Sequence, residues 1–356
     1  MRVWRLDWVL IGAIVFLGAS SLVTLSSIAP ELFRQQIVWY VLGGILVAVC
    51  ASIDWRPFVN YPWIIRGAYF ASLLLLIITY FLSPPIRGIK GWLVIGNWQF
   101  QTSELAKLAL IIVFSWFWAK AHIQIAHIRN LLISFIYFLV PTLLVLVQPD
   151  MGSALILFGI WFGYLLVSGI QWRHLLIASA CFVVLGFGFW NYFLAEYQKD
   201  RITGLFYPER DPLGVNYNVI QSKIAIGSAG LWGKGFAQGT QTHLGFLPEA
   251  ETDFILSAFI EEWGLAGGFL AVSVFIVLVI RIIQIGMRSD NNFSRMFCLG
   301  TAMMLLFHFI LNSGSVLGLL PVIGVSFPFL SYGGSNLLTS FLAIGIIQGI
   351  VIRTKF

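Results

Sequence analysis

Charge is scarce in this chain. Only 10% of its 356 residues are Asp, Glu, Lys or Arg, against 59% hydrophobic, and the mean hydropathy is +0.90. A soluble domain carries about a quarter charged residues. The shortage excludes a soluble enzyme with an anchor and implies an integral membrane protein with several spans. Cysteine is nearly absent too. Cys50, Cys181 and Cys298 lie far apart in apolar runs, which excludes a CxxC or metal spacing and leaves small buried hydrophobes. There is no Walker A motif, no GxSxG, no HExxH and no D-x-D on an outer loop, and the five histidines show no metal spacing. An ATPase, a nucleophile-elbow serine hydrolase and a zinc enzyme are thereby excluded. The formal net charge of +6 reads as topology-setting cations at the membrane edge, not as a nucleic-acid footprint.

What the chain has is apolar length. A span needs about 20 apolar residues. Ten runs qualify, near 8–28, 36–53, 64–83, 104–119, 131–148, 152–169, 174–194, 254–282, 296–312 and 336–352. They are long and lack strict alternation, so helices are implied. The first run has no A-x-A-like cleavage site after it and is expected to be retained as a helix. The longest, 254–282, has room to tilt or to break around Gly264–Gly268. With both termini in the cytoplasm, twelve Lys and Arg fall on the cytoplasmic side and three, Arg34, Arg87 and Lys90, on the short outer loops. That imbalance sets the orientation. The chain reads as one all-α, polytopic membrane domain, residues 1–356, with one large extracytoplasmic loop at about 195–253. A structureless loop of that length would be unusual. Val219–Ile226 reads as a short amphipathic helix ended by Gly227, and the glycines at 230, 233, 235, 239 and 245 predict tight turns. A folded cap over the outer face is expected.

Acid is the rarest resource and is unevenly placed. The stretch FLPEAETDFILSAFIEEWG, 246–264, holds Glu249, Glu251, Asp253, Glu261 and Glu262, five of fifteen acidic residues. Asp253 precedes an apolar run and has two readings. It, or Thr252 beside it, could cap the helix. Alternatively, repulsion from Glu249 and Glu251 with partial burial tunes it as a general base. Glu261 and Glu262 lie about 12 Å further along the axis and point about 100° apart, so at most one shares Asp253's cleft. Ion pairing with another element is the simpler reading of both.

Charge at membrane depth is expensive and needs a reason. Glu104 and Lys107, at i and i+3 in QFQTSELAKLAL, can pair on one helix face. They form either a structural ion pair or a cation aimed at an anionic substrate, with Ser103 or Thr102 as the helix cap. Asp150 reads equally as an N-cap or as a substrate contact. In SFPFLSYGGSNLL, 326–338, Pro328 and Gly333–Gly334 break helix geometry while Ser331, Tyr332, Ser335 and Asn336 offer hydrogen bonds. Irregular backbone of this kind at the membrane edge is expected to line a cavity.

The stretches FQTSELAKL, QPDMGSAL, QSKIAIGSAGLWGKG, GTQTHLGFLPEAETDFI, EEWG and FPFLSYGGS together resemble the SEDS family (shape, elongation, division and sporulation proteins), in the family's order and over nearly the full length. The text QSKIAIGSAGLWGKGFAQGTQTHLGFLPE is most similar to the elongation branch rather than the division branch. The resemblance implies a ten-helix, GT-C-like fold in the bacterial cytoplasmic membrane. It also implies a peptidoglycan glycosyltransferase polymerising lipid II into a nascent glycan strand on the outer face. Carried over residue by residue, it implies Asp253 as the catalytic carboxylate, Glu104 and Lys107 lining a central cavity, Gln221 as the loop glutamine, and Ser331–Ser335 as the SYGGS motif. Basic loop residues such as Lys223 and Arg210 would offset pyrophosphate charge. A divalent cation, magnesium or manganese, is a possible assistant, with Asp253 and Glu251 as candidate ligands. The implied partners are a class B penicillin-binding protein and other membrane proteins of the elongation complex. The chain departs from the family pattern at Thr102, Ala229, Glu251 and Asn336, where proline, glycine, histidine and serine are usual. Two rival readings stay open: a flippase for lipid-linked precursors, using the same cavity without chemistry, and a non-catalytic scaffold of the wall-elongation complex.

Overall fold

A computed structural model of the chain describes residues 6–354 apart from 56, 87, 97, 121–127, 168, 170–172, 174–195, 208–210, 212–213 and 215. Its membrane helices are α1 (Trp8–Ile28), α2 (Pro30–Ser52), α3 (Pro62–Leu82), α4 (Thr102–Lys120), α5 (Ile128–Val147), α6 (Met151–Val167), α10 (Ile255–Arg288), α11 (Asn292–Val316) and α12 (Gly334–Arg353). Among the described residues eight of these are long and apolar enough to cross a membrane, and α6 is a shorter apolar helix. This is a multi-pass membrane protein. Nine of the ten predicted runs are observed. The tenth, 174–194, lies outside the described residues, as do Arg210 and Cys181.

Local chemistry sets the helix ends. Asp7 caps α1, its Oδ1 accepting from the Leu10 amide at 3.0 Å, and its Oδ2 pairs with Arg281 of α10 at 2.7 Å. Proline opens both α2 and α3, where its missing N–H is no loss. Arg353 in the last turn of α12 donates to the carbonyls of Ala51 and Ser52, the end of α2. Gln348 exchanges two hydrogen bonds with the Asp7 backbone. Both described ends of the chain are therefore on one side of the bundle.

Helix packing relies on small residues. A Cβ at Gly43 of α2 would collide with the Phe341 ring on α12, and one at Gly345 of α12 would press on Cys50. Without a hydrophobic force between helices in lipid, such close approach supplies the contact. The remaining sides of α2 expose Val38, Val41, Ile45 and Val49, as a lipid-facing helix does.

Between α3 and α4 the chain forms a two-stranded antiparallel hairpin, β1 (Trp92–Ile95) and β2 (Trp98–Gln101), with Trp92 opposite Gln101. The large loop is folded, as expected. It contains α7 (Glu196–Phe206), α8 (Tyr217–Ser228) and α9 (Thr240–His243). Helix α8 runs one residue past Gly227. Its Ser222 Oγ donates to the Val316 carbonyl at 2.7 Å and lies 2.7 Å from Ser257 Oγ, tying the cap to α10 and α11. Gly230, Gly233, Gly235 and Gly245 have positive φ.

The predicted break in α10 is real and sits at Gly264, with φ 74° and ψ 178°. Its freed backbone groups are taken up by the loop. Leu265 and Ala266 amides donate to the Gly230 and Leu231 carbonyls at 3.0 and 3.1 Å. In return the Lys234 and Gly235 amides donate to the Glu261 and Glu262 carbonyls at 3.0 Å each. Broken helices at membrane depth are tolerated where other protein satisfies them.

Candidate active site

Glu249, Thr252 and Asp253 stand on the wall of a cavity of about 400 Å³ together with Glu104, Lys107, Asp150, Arg201, His308, Tyr332, Ser335 and Asn336. A second lobe of about 680 Å³ is lined by Gln35, Val38 and Trp39 of α2 and by Gln99. Ile86, Trp92, Thr252, Tyr332, Gly333 and Gly334 line both lobes, so the two adjoin, and the second borders the lipid-facing helix α2.

Asp253 is held by a tight turn ahead of α10. The Thr252 and Phe254 amides donate to the Glu249 carbonyl at 3.2 and 3.1 Å. Glu249 has φ +54°, and its Oε2 accepts from Thr252 Oγ1 at 3.0 Å. Thr252 spends its hydroxyl on Glu249 rather than on α10. The cap position is Phe254, which makes no side-chain bond there. Asn312 of α11 donates to the carbonyls of Asp253 at 2.8 Å and Val325 at 2.7 Å. The turn is also stapled to the SYGG stretch. Ser331 Oγ donates to the Thr252 carbonyl at 2.6 Å, and the Tyr332 amide to the Glu251 carbonyl at 2.9 Å. From α2, Tyr40 and Gln36 donate to the Phe329 and Ser331 carbonyls at 2.7 and 3.2 Å. Ser331 is thus a brace with its hydroxyl turned inward, while Tyr332 lines both lobes. Burial raises the Tyr332 phenol above its ordinary range, so it stays protonated and donates to Gln35 Oε1 at 2.6 Å.

Deeper in the cavity, Lys107 Nζ donates to Glu104 Oε1 at 2.7 Å. Lys107 is 1% exposed and Glu104 3%. Both also line the cavity, so the ion pair is structural and faces the hollow at once. Asp150 also serves two purposes. Its Oδ1 caps α6 by accepting from the Ser153 amide at 2.9 Å. Its Oδ2 accepts from Gln101 Nε2 at 2.8 Å and Ser103 Oγ at 3.2 Å, fixing the hairpin to the start of α4. Ser103 is committed to Asp150 and Ser153, so neither it nor Thr102 supplies the expected cap of α4. Ser335 Oγ accepts from the Gln101 amide at 2.9 Å, at the cavity wall.

Other expected residues fall elsewhere. Gln221 is on α8 and does not line either lobe. Lys223 faces a neighbouring small groove, which shares Arg201 with the main cavity. Glu251 does not line the cavity, whereas Glu249 does. The acid that shares the cavity lining with Asp253 is therefore the one four residues upstream, a spacing visible in the sequence once a helix-like turn is assumed. Glu261 and Glu262 are structural. Glu261 takes Lys234 Nζ at 2.8 Å and the Gln241 and Thr242 amides at 2.9 and 3.3 Å. Glu262 accepts from Ser27 Oγ and the Ala237 amide and lies 3.4 Å from His243 Nε2. The sequence reading missed Arg201 and His308. A histidine inside an apolar run was the available signal for the second.

Among the described residues no three of His, Cys, Asp and Glu come together to hold a metal. Glu249 and Asp253 both line the cavity, and their carboxylates are the donor type that suits magnesium, which takes one or two carboxylates and completes its shell with water and substrate phosphate.

A protein-family model described as "Cell cycle protein" and spanning FtsW, RodA and SpoVE matches residues 1–355. The chain belongs to this family. As a member of the FtsW/RodA/SpoVE family it is 35% identical over 327 residues to the peptidoglycan glycosyltransferase MrdB of Escherichia coli K12, covering 91% of this chain and 86% of that one. It is 27% identical over 412 residues to the peptidoglycan glycosyltransferase RodA of Treponema pallidum, covering 96% and 94%. Among solved structures it is similar to Thermus thermophilus RodA, with TM-score 0.74, 28% identity and 99% of each chain covered. A chain from a structure on the coordination of polymerization and crosslinking by a peptidoglycan synthase complex gives TM-score 0.82, 32% identity and 97% coverage of each.

Proposed function

We propose that the chain, a SEDS peptidoglycan glycosyltransferase, polymerises lipid II with Asp253 as general base. The observation that carries this reading is that the carboxylate and the buried cation Lys107 share one cavity, and that this cavity adjoins a second lobe bordered by α2. In the proposed step, the 4-hydroxyl of the acceptor sugar attacks C1 of the lipid-linked donor. The new C1–O bond forms as the C1–O bond to the lipid pyrophosphate breaks, with inversion. Asp253 takes the hydroxyl proton, and the pyrophosphate leaves with the bonding pair. Such base assistance contributes about 10²–10⁴-fold in rate.

Lys107 on the floor and Arg201 at the rim offset the leaving group's charge. Glu104 orients Lys107, and Asp150, Tyr332 and Ser335 shape the wall. Bound magnesium or manganese would be held by Glu249 and Asp253 and would neutralise phosphate charge. The lobe beside Gln35, Val38 and Trp39 suits an isoprenoid tail entering from the bilayer. The cation asymmetry of the sequence supports a cytoplasmic-membrane protein with this cavity on the outer face. A class B penicillin-binding protein is the proposed partner, supplying crosslinking, alongside other elongation-complex proteins.

The test is lipid II polymerisation by purified wild type and Asp253→Ala. We expect glycan chains from the first and a loss of about 100-fold or more in the second. A folded Asp253→Ala protein at the wild-type rate refutes the assignment, and translocation of lipid II in vesicles without glycan chains would favour a flippase.

A further inference from the structure

We propose that His308 is a positioning residue for Lys107, holding that ammonium in place as a neutral, Nδ1-protonated imidazole. The proposal rests on the reading of Lys107 as the cation that meets the substrate's anionic part.

His308 stands in the middle of α11, is 2% exposed and lines the main cavity. Its two ring nitrogens face different chemistry. Nδ1 lies 3.3 Å from the Ser326 carbonyl oxygen, which can only accept. Nε2 lies 3.3 Å from Lys107 Nζ, which can only donate, while Asn336 Nδ2 sits beside both nitrogens, 3.2 Å from Nε2 and 3.4 Å from Nδ1, and does not distinguish them. A single protonation pattern satisfies the Ser326 carbonyl and the Lys107 ammonium together: a proton on Nδ1 and a bare lone pair on Nε2. An imidazolium would set an N–H against an ammonium. The opposite tautomer would also leave Nδ1 facing a carbonyl without a proton. The surrounding atoms thus specify a neutral ring.

This arrangement directs Lys107. An ammonium has three N–H bonds. One goes to Glu104 Oε1 at 2.7 Å and one to His308 Nε2, which leaves the third for the hollow that both residues line. Glu104 alone would leave the ammonium free to swing about one contact. A second contact at an angle to the first fixes where the third N–H points. Asn336 completes the frame, its Nδ2 lying 3.5 Å from Glu104 Oε2 as well as near His308. Its position is one where the family pattern has serine, which is too short to span both.

His308 also joins the cation to the base. One turn along the same face of α11, Asn312 donates to the Asp253 and Val325 carbonyls. Ser326, the partner of His308, is the next residue. Two side chains at i and i+4 on one helix therefore grip consecutive residues of one irregular segment, Val325 and Ser326. The first holds Lys107 and the second holds the Asp253 backbone, so the α11 face sets their spacing.

Two measurements test this. First, lipid II polymerisation is compared for wild type, His308→Gln and His308→Leu, with Asp253→Ala as reference. Leucine removes the acceptor, and kcat/KM is expected to fall about tenfold, the worth of one charge-assisted hydrogen bond. Glutamine carries both an acceptor for Lys107 and a donor for Ser326, and it is expected to regain activity to within about threefold of wild type. Equal losses in both variants, or a leucine variant at the wild-type rate, overturn the proposal. Second, ¹⁵N shifts of histidine-labelled wild-type protein, assigned by difference from His308→Gln, report the tautomer directly and need no active variant. A protonated Nδ1 with a bare Nε2 is expected. A protonated Nε2 overturns the proposal even if the leucine variant fails to fold. Polymerisation that survives in Asp253→Ala sinks the general-base reading instead, and the tautomer measurement then still decides the role of His308.

Discussion

Replacing Gly264 by alanine should release the large loop from α10. Gly264 has φ 74° and ψ 178°, a region that is essentially glycine-only and costs other residues about 1–3 kcal/mol. An added Cβ would also collide with the Leu231 carbonyl and the Gly233 amide, both of them backbone that cannot rotate away. The loop must therefore lift or the helix must straighten. Lifting breaks four backbone hydrogen bonds, from Leu265, Ala266, Lys234 and Gly235, each worth about 1 kcal/mol net. A straightened helix recovers about two of them as ordinary i to i−4 bonds. The smallest net loss is thus about 2 kcal/mol, or about 30-fold in local opening. Hydrogen–deuterium exchange of purified protein in detergent reads this directly. The amides of 233–235 should exchange about 30-fold faster in Gly264→Ala, and polymerisation should fall because the same loop runs into Asp253. Exchange unchanged to within about threefold would refute the argument that the loop closes the break.

Lys107→Met leaves the Glu104 carboxylate buried with only a long contact to Asn336. Breaking a buried pair in this way costs about 3–5 kcal/mol, so the unfolding midpoint should drop and polymerisation should be lost. In the double variant Glu104→Gln with Lys107→Met the midpoint should recover while activity stays lost, and joint recovery of both would reduce the pair to a structural role. Glu261→Gln weakens the grip on Lys234 and α9 and should lower stability by about 1–3 kcal/mol in thermal unfolding. The KM for lipid II should stay within about twofold, since Glu261 does not line the cavity. A large KM change would place that carboxylate in contact with substrate.

The spans were legible because a bilayer demands a length of apolar sequence that few other constraints produce. Their ends were less so. The run at 36–53 begins six residues earlier as a helix, at Pro30, because Gln35 and Gln36 interrupt the apolar pattern. Those two side chains bond Tyr332 and the Ser331 carbonyl, partners almost three hundred residues away that no local window reveals. The hairpin β1–β2 was missed although Gly96–Asn97 between two β-rich runs is a turn signal.

At the site, Asp253, Glu104 and Lys107 stood out because charge is so rare in the chain. Composition could not say which acid accompanies Asp253. That choice is made by the turn at 249–254, in which Glu249 has a positive φ and lines the cavity while Glu251 does not. Glu261 and Glu262 were readable as paired, but their partners Lys234 and His243 come from a loop whose path depends on the break at Gly264.

The two positive charges of the main cavity differ in their access to water. Arg201 is exposed at the mouth, within reach of mobile ions whose screening length is about 8 Å at physiological ionic strength. Lys107 is 1% exposed at the floor, where such ions barely penetrate and its field persists. On the proposed reading, salt would dampen the pull of Arg201 on an anionic headgroup and leave intact the field of Lys107 on the bond being broken. Capture and chemistry would then run on separate electrostatics, and a change of ionic strength at the mouth would alter only the first.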